Sequence, residues 1–268
     1  MANHDSCVVR VAVDPGVALS VETTAASGNP CLVLSNSLGA SRGMWDELVQ
    51  RLKPTTRIVR YDTRGHGRSD VSTGPLTLQR LGRDALAIMD NLRIERAVFC
   101  GLSLGGLTGM WLGANAPSRF AGIILANTAP NFPPPELWKG RAEAVRASGM
   151  APLVEPTLDR WFTRAFRETS PERVAEIGQM LQSTTIEGYA ACCDVLAQAD
   201  MSRQLDRIAC PALVIAGQHD PSTPPSRGAE IVSAIAGARM VVLDAAHLSS
   251  VEAADAFAEA IKDFINKL

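Results

Sequence analysis

Apolar and polar residues alternate at the start of the chain and then settle into longer blocks. Residues 7–13 alternate as a strand does, Asp14-Pro15-Gly16 has turn chemistry, and 17–22 return as a second strand, which predicts a hairpin. Cys31-Leu32-Val33-Leu34 is instead an unbroken apolar run, as expected of a strand covered on both faces of a parallel sheet. Further strands are predicted over 57–61, 96–100, 120–126, 212–216 and 239–243. Helical spacing fills the gaps: Met44, Trp45, Leu48, Val49 and Leu52, then residues 78–92, 107–114 and 227–235, and a closing amphipathic helix over 249–265. Strands alternating with helices predict an α/β fold, a mostly parallel central sheet with helices on both faces. The rhythm breaks between about Pro130 and Ala199, where Pro133-Pro134-Pro135 leads into helical segments without a buried strand. Residues 130–199 are therefore read as a helical cap inserted in a core built from 1–129 and 200–268.

Charge and composition narrow the partners. A net charge of −2 without a lysine-rich run argues against nucleic acid and anionic membranes. No apolar stretch approaches the roughly 18 residues of a membrane span, and Met1 to Ser6 lacks a secretory pattern. Cys7, Cys31, Cys100, Cys192, Cys193 and Cys210 include no C-x-x-C pair, so reduced thiols in a cytoplasmic protein are expected. The histidines show no ligand spacing, and no metal site is expected.

The chemistry centres on Gly101-Leu102-Ser103-Leu104-Gly105-Gly106, which stands between a predicted strand and a predicted helix. Strand, G-x-S-x-G, helix is the context of a nucleophile elbow, in which a serine perches on a sharp turn and its neighbours must lack a Cβ where strand and helix crowd. A serine hydroxyl needs a base to take its proton, and the base needs a carboxylate to hold its tautomer. In a parallel sheet these groups come from loops at the carboxyl ends of strands. Asp220 follows the strand at 212–216, and His247 follows the one at 239–243. The rivals fit less well: His219 adjoins the candidate acid, His66 sits between glycines and reads as structural, and His4 lies in the terminal stretch. Asp244 stands only three residues from His247, and the loop after 120–126 offers Asn127 rather than a carboxylate. The Leu104 N–H at the helix start is one candidate oxyanion donor, and the loop after Cys31-Leu32-Val33-Leu34 should supply the second, at Leu38.

With these residues the chain resembles the α/β-hydrolases over essentially its whole length, and within them the 3-oxoadipate enol-lactonases of bacterial aromatic-acid (protocatechuate and catechol) catabolism. The resemblance is carried by Leu34-Ser35-Asn36-Ser37-Leu38-Gly39 before Met44-Trp45, by Tyr61-Asp62-Thr63-Arg64-Gly65-His66-Gly67, by the elbow, and by Ala245-Ala246-His247-Leu248-Ser249. Asn36-Ser37, where most of the superfamily carries His-Gly, discriminates best. The resemblance implies cofactor-free hydrolysis of a small-molecule lactone that carries a carboxylate. Burying that charge unpaired would be costly, so a cationic cap residue is expected, Arg141 or Arg164, with Trp138 and Trp161 as apolar walls. The same motifs would also serve a carboxylesterase, a carbon–carbon-bond hydrolase or a cofactor-free haloperoxidase, and a small-molecule receptor can retain them.

Overall fold

The computed structural model describes residues 6–24, 30–53, 55–72 and 74–268. Its centre is one eight-stranded sheet in the order β1-β2-β4-β3-β5-β6-β7-β8. The strands are β1 (Ser6–Asp14), β2 (Val17–Thr24), β3 (Cys31–Ser35), β4 (Ile58–Tyr61), β5 (Ala97–Leu102), β6 (Phe120–Ala126), β7 (Ala212–Gly217) and β8 (Arg239–Leu243). The β1–β2 hairpin pairs antiparallel, β2 joins β4 antiparallel, and every later pairing is parallel. Hydrophobic patterning follows position in the sheet. The unbroken apolar runs of β3, β5 and β7 are buried at every residue, whereas the edge strands β1 and β8 expose part of theirs.

Helices α1 (Asp46–Leu52), α2 (Leu78–Asn91), α3 (Leu104–Asn115), α9 (Pro225–Ala234), α10 (Ser249–Glu252) and α11 (Ala254–Ile265) accompany the sheet. Thr77 caps α2 by accepting the Arg80 N–H, and Leu81, Ala85, Ile88 and Met89 form its buried stripe. Between β6 and β7 come α4 (Pro135–Ser148), α5 (Val154–Trp161), α6 (Arg164–Thr169), α7 (Pro171–Gln182) and α8 (Ile186–Gln198). This insertion leaves and rejoins the sheet at one place, where Met201 N–H donates to the Pro130 carbonyl at 2.8 Å.

Two elements differ from the sequence expectation. The helix containing Met44 and Trp45 opens with a 3-10 turn over Arg42–Trp45 before α1 begins. The single closing helix is broken at Ala253, whose φ of −120° and ψ of 46° are not helical. The break lets the two parts face different neighbours. Glu252 at the end of α10 accepts the Ala246 and Thr163 N–H groups, while α11 sends Phe257 against Trp45 at 6.1 Å between ring centroids. Amphipathic spacing continues across the break and does not register it.

Candidate active site

Ser103 stands between β5 and α3 with φ 58° and ψ −112°, a conformation costing on the order of 1–3 kcal/mol that the surroundings must hold. They do so on three sides. Ser103 N–H donates to the Ala126 carbonyl at 2.9 Å, and the Ser103 carbonyl accepts from the Thr128 hydroxyl at 2.7 Å and the Leu107 N–H at 2.9 Å. Gly105 is required by close approach, since a Cβ there would lie 2.3 Å from the Ser35 carbonyl oxygen.

His247 and Asp220 meet as expected. The ring Nδ1–H donates to Asp220 Oδ2 at 2.7 Å, and both side chains are buried. Asp220 is held by more than the imidazole. Its Oδ2 also accepts from the Thr223 hydroxyl at 2.7 Å and from Asn127 Nδ2 at 3.0 Å, and its Oδ1 from the Ser222 and Thr223 N–H groups. Burial works against its charge, but the electrostatic pull of His247 and the donors from His247, Thr223 and Asn127 outweigh it, holding the carboxyl well below the usual carboxylate range. Ser103 and His247 line the same cavity, and no hydrogen bond joins them among the described residues. Such a pair commonly tightens only around bound substrate.

Leu38 and Leu104 supply two backbone N–H groups that meet no protein acceptor among the described residues. Leu104 opens α3, so its N–H is one of the helix's unpaired donors. The Asn36 carbonyl accepts Gly105 N–H at 3.1 Å and so ties the Leu38 loop to the start of α3. The Asn36 side chain faces inward, donating to the Tyr61 carbonyl and accepting from Trp45 Nε1, both at 2.8 Å.

A cavity of about 450 Å³ extends from Ser103 and His247 to the helical insertion. Trp138, Trp161 and Arg141 line it, and the Arg141 guanidinium lies 4.7 Å over the Trp138 ring. Arg164 does not reach it. The chain turns at Phe162, between α5 and α6, and directs Arg164 outward, where its side chain is 92% exposed and pairs with Glu168 at 2.7 Å. The sequence reading missed Arg160, Tyr189 and Arg227 in the cavity wall, and Asn127 and Thr223 behind the acid. Helical spacing was the available signal for Arg160, because Thr157, Arg160 and Trp161 share one face of α5. Neither Arg141 nor Arg160 is paired with a carboxylate among the described residues. Burial and the nearby Arg141 charge lower the Arg160 pKa, while burial pushes the Tyr189 phenol up to about 12 against the pull of Arg141. The other histidines lie elsewhere: His219 pairs with Asp244 at 2.9 Å at the surface, His66 is buried beside Gly39, and His4 is outside the described residues.

Comparison with known proteins agrees with this geometry. Residues 30–254 match the family model of the alpha/beta hydrolase fold. The chain is 42% identical over 246 residues to 3-oxoadipate enol-lactonase 2 of Acinetobacter baylyi, covering 92% of each chain. It is also 42% identical over 253 residues to enol-lactonase 1 of the same organism, covering 94% of this chain and 95% of that one. The crystal structure of the enol-lactonase from Burkholderia xenovorans superposes with a TM-score of 0.91 at 43% identity, covering 96% of this chain and 99% of that one. The protein is thus a member of the alpha/beta-hydrolase family and, within it, of the 3-oxoadipate enol-lactonases.

Proposed function

We propose that this enzyme opens 3-oxoadipate enol-lactone to 3-oxoadipate in bacterial aromatic-acid degradation, with Ser103 as nucleophile, His247 as base and Asp220 as its orienting acid. The observation that carries the reading is one cavity lined by Ser103, by His247 with Asp220 hydrogen-bonded behind it, and by two guanidiniums without carboxylate partners among the described residues. The names of its relatives point to the same substrate. Ser103 Oγ attacks the lactone carbonyl as its proton passes to His247 Nε2, while Nδ1–H stays on Asp220. The Leu38 and Leu104 N–H groups hold the oxyanion, each worth roughly 3–4 kcal/mol in the transition state. Collapse expels the enol oxygen, which takes the proton from His247 and tautomerises to the ketone. Water activated by His247 then releases the acyl group from Ser103.

The helical insertion over 130–199 acts in this reading as the cap. Arg141 and Arg160 receive the substrate carboxylate between the walls of Trp138 and Trp161, in place of the expected Arg164. A cytoplasmic location fits thiols that all remain free, five of them buried. Loss of the enol-lactone ultraviolet absorbance tests the activity. Wild-type protein should consume the lactone and Ser103→Ala should lose nearly all turnover while still binding substrate. A variant retaining more than a few per cent of the rate would remove Ser103 from the nucleophile's role.

A further inference from the structure

We propose that His66 is a positioning residue for the oxyanion hole, acting as a neutral imidazole that accepts the Gly39 N–H and so fixes the Leu38 donor. The proposal rests on the serine-hydrolase reading above. His66 does not line the cavity that holds Ser103 and His247, yet its ring is built into the Leu38 loop. Nε2 lies 3.0 Å from the Gly39 nitrogen, and Nδ1 lies 2.9 Å from the Arg64 carbonyl oxygen. A backbone N–H can only donate and a carbonyl can only accept. The ring therefore carries its proton on Nδ1 and presents a lone pair at Nε2.

Both ends of this connection are rigid. The His66 backbone donates to the Thr63 carbonyl at 2.9 Å and accepts from Ser69 N–H at 3.0 Å, and the ring is buried. On the other side, Ser37, Leu38, Gly39 and Ala40 form a turn closed by Ala40 N–H to the Ser37 carbonyl at 3.1 Å. Gly39 has φ +82°, so only glycine sits there without strain, and that freedom must be removed by something else if Leu38 N–H is to point one way. His66 removes it at the Gly39 N–H, and the Thr184 hydroxyl approaches the Gly39 carbonyl at 3.2 Å. A protonated His66 would place a second N–H against that of Gly39 and push the turn away. Burial lowers the His66 pKa, opposed by the Arg64 carbonyl and by Asp62, whose charge is engaged by Arg42. Burial thus favours the neutral form that the Gly39 N–H requires.

The test compares His66→Leu, similar in size but without an acceptor, with His66→Gln, whose side-chain oxygen can take the Gly39 N–H. His66→Leu should lower kcat by about 10- to 100-fold, the scale of a misplaced catalytic group. Its KM, and the affinity for adipate as an anionic product analogue, should stay within about 3-fold, and His66→Gln should recover most of the loss. Affinity for a trifluoromethyl ketone, which forms an oxyanion adduct with the serine, should fall in step with kcat. A normal kcat in His66→Leu, or a loss that strikes adipate and ketone equally, would overturn the assignment. Ser103→Ala measured alongside separates the two readings. If it remains active the serine-hydrolase reading fails, whereas if it is inactive and His66→Leu turns over normally only the His66 role fails. Should His66→Leu not fold, nitrogen-15 spectra of histidine-labelled wild-type enzyme decide. The spectra are compared with those of His247→Gln, which removes the other ring protonated on Nδ1. One imidazole must still stay neutral with its proton on Nδ1 from pH 6 to 8, and a set in which every remaining folded histidine titrates there or protonates Nε2 refutes the proposal.

Discussion

Removing the guanidiniums of the cavity wall should separate recognition of charge from catalysis. Arg141 and Arg160 line the same cavity as Ser103, and neither has a carboxylate partner among the described residues. A charge-assisted hydrogen bond in such a site is worth about 1.5–3 kcal/mol. At 1.36 kcal/mol per decade, Arg141→Leu or Arg160→Met should lower kcat/KM for the carboxylated lactone by roughly 10- to 150-fold. Most of this should appear in KM, and a neutral ester of similar size should change by less than about 3-fold. Arg160→Met carries a second signature. Its charge is disfavoured by burial and by Arg141, so removing it should leave Tm unchanged or slightly raised. Steady-state kinetics on both substrates, with thermal melts of the same preparations, supply the measurements. Equal losses on lactone and ester, with a lowered Tm, would show that these arginines support the wall rather than read the substrate.

Arg164→Leu, which removes an exposed side chain paired with Glu168, should leave kcat/KM for the lactone within about 2-fold, and a loss comparable to Arg141→Leu would contradict the observed placement. Asn127→Ala deprives Asp220 Oδ2 and the Ala246 carbonyl of a donor and sets alanine at φ 42°, so denaturant titration should show about 2–4 kcal/mol lost, with kcat reduced as Asp220 loosens. Asp220 has a folded pKa below its unfolded value, so its contribution to stability is complete above the unfolded pKa of about 4 and is lost as the pH falls toward the folded one. Denaturation between pH 2 and 5 should therefore show a fall in stability on acidification that is shallower in Asp220→Asn, and identical slopes would refute the linkage.

The frame of the molecule was legible in sequence because its cues are local. Period-two and period-3.6 patterning, together with unbroken apolar runs such as Cys31-Leu32-Val33-Leu34, depend only on near neighbours and predicted all eight strands of the sheet. The elbow was legible in part for the same reason, since Gly101 is crowded by Gly105 within the motif, whereas Gly105 is required by Ser35 and Gly106 by Thr128, both distant in sequence. The break at Ala253 was not, because both sides of it keep the same apolar stripe and only the partners of Glu252 require the bend.

The residues around the site divide along the same line. Chain order and strand ends were enough to nominate Ser103, Asp220 and His247. What surrounds them depends on which loops meet in space: Asn127, passed over for lacking a carboxylate, closes on Asp220 as a donor, and His66, read as structural, accepts from the loop that bears Leu38. Arg164 and Arg160 differ by four positions in a chain rich in arginine, and only the turn at Phe162 sends one to solvent and the other to the cavity. The amino-acid sequence by itself determined the layers of the fold and the chemical types at its strand ends, because backbone sterics and burial act over a few residues. Tertiary structure alone decided which polar groups became partners, because hydrogen bonds and charge pairs between distant segments depend on distances of a few ångströms that no local pattern encodes.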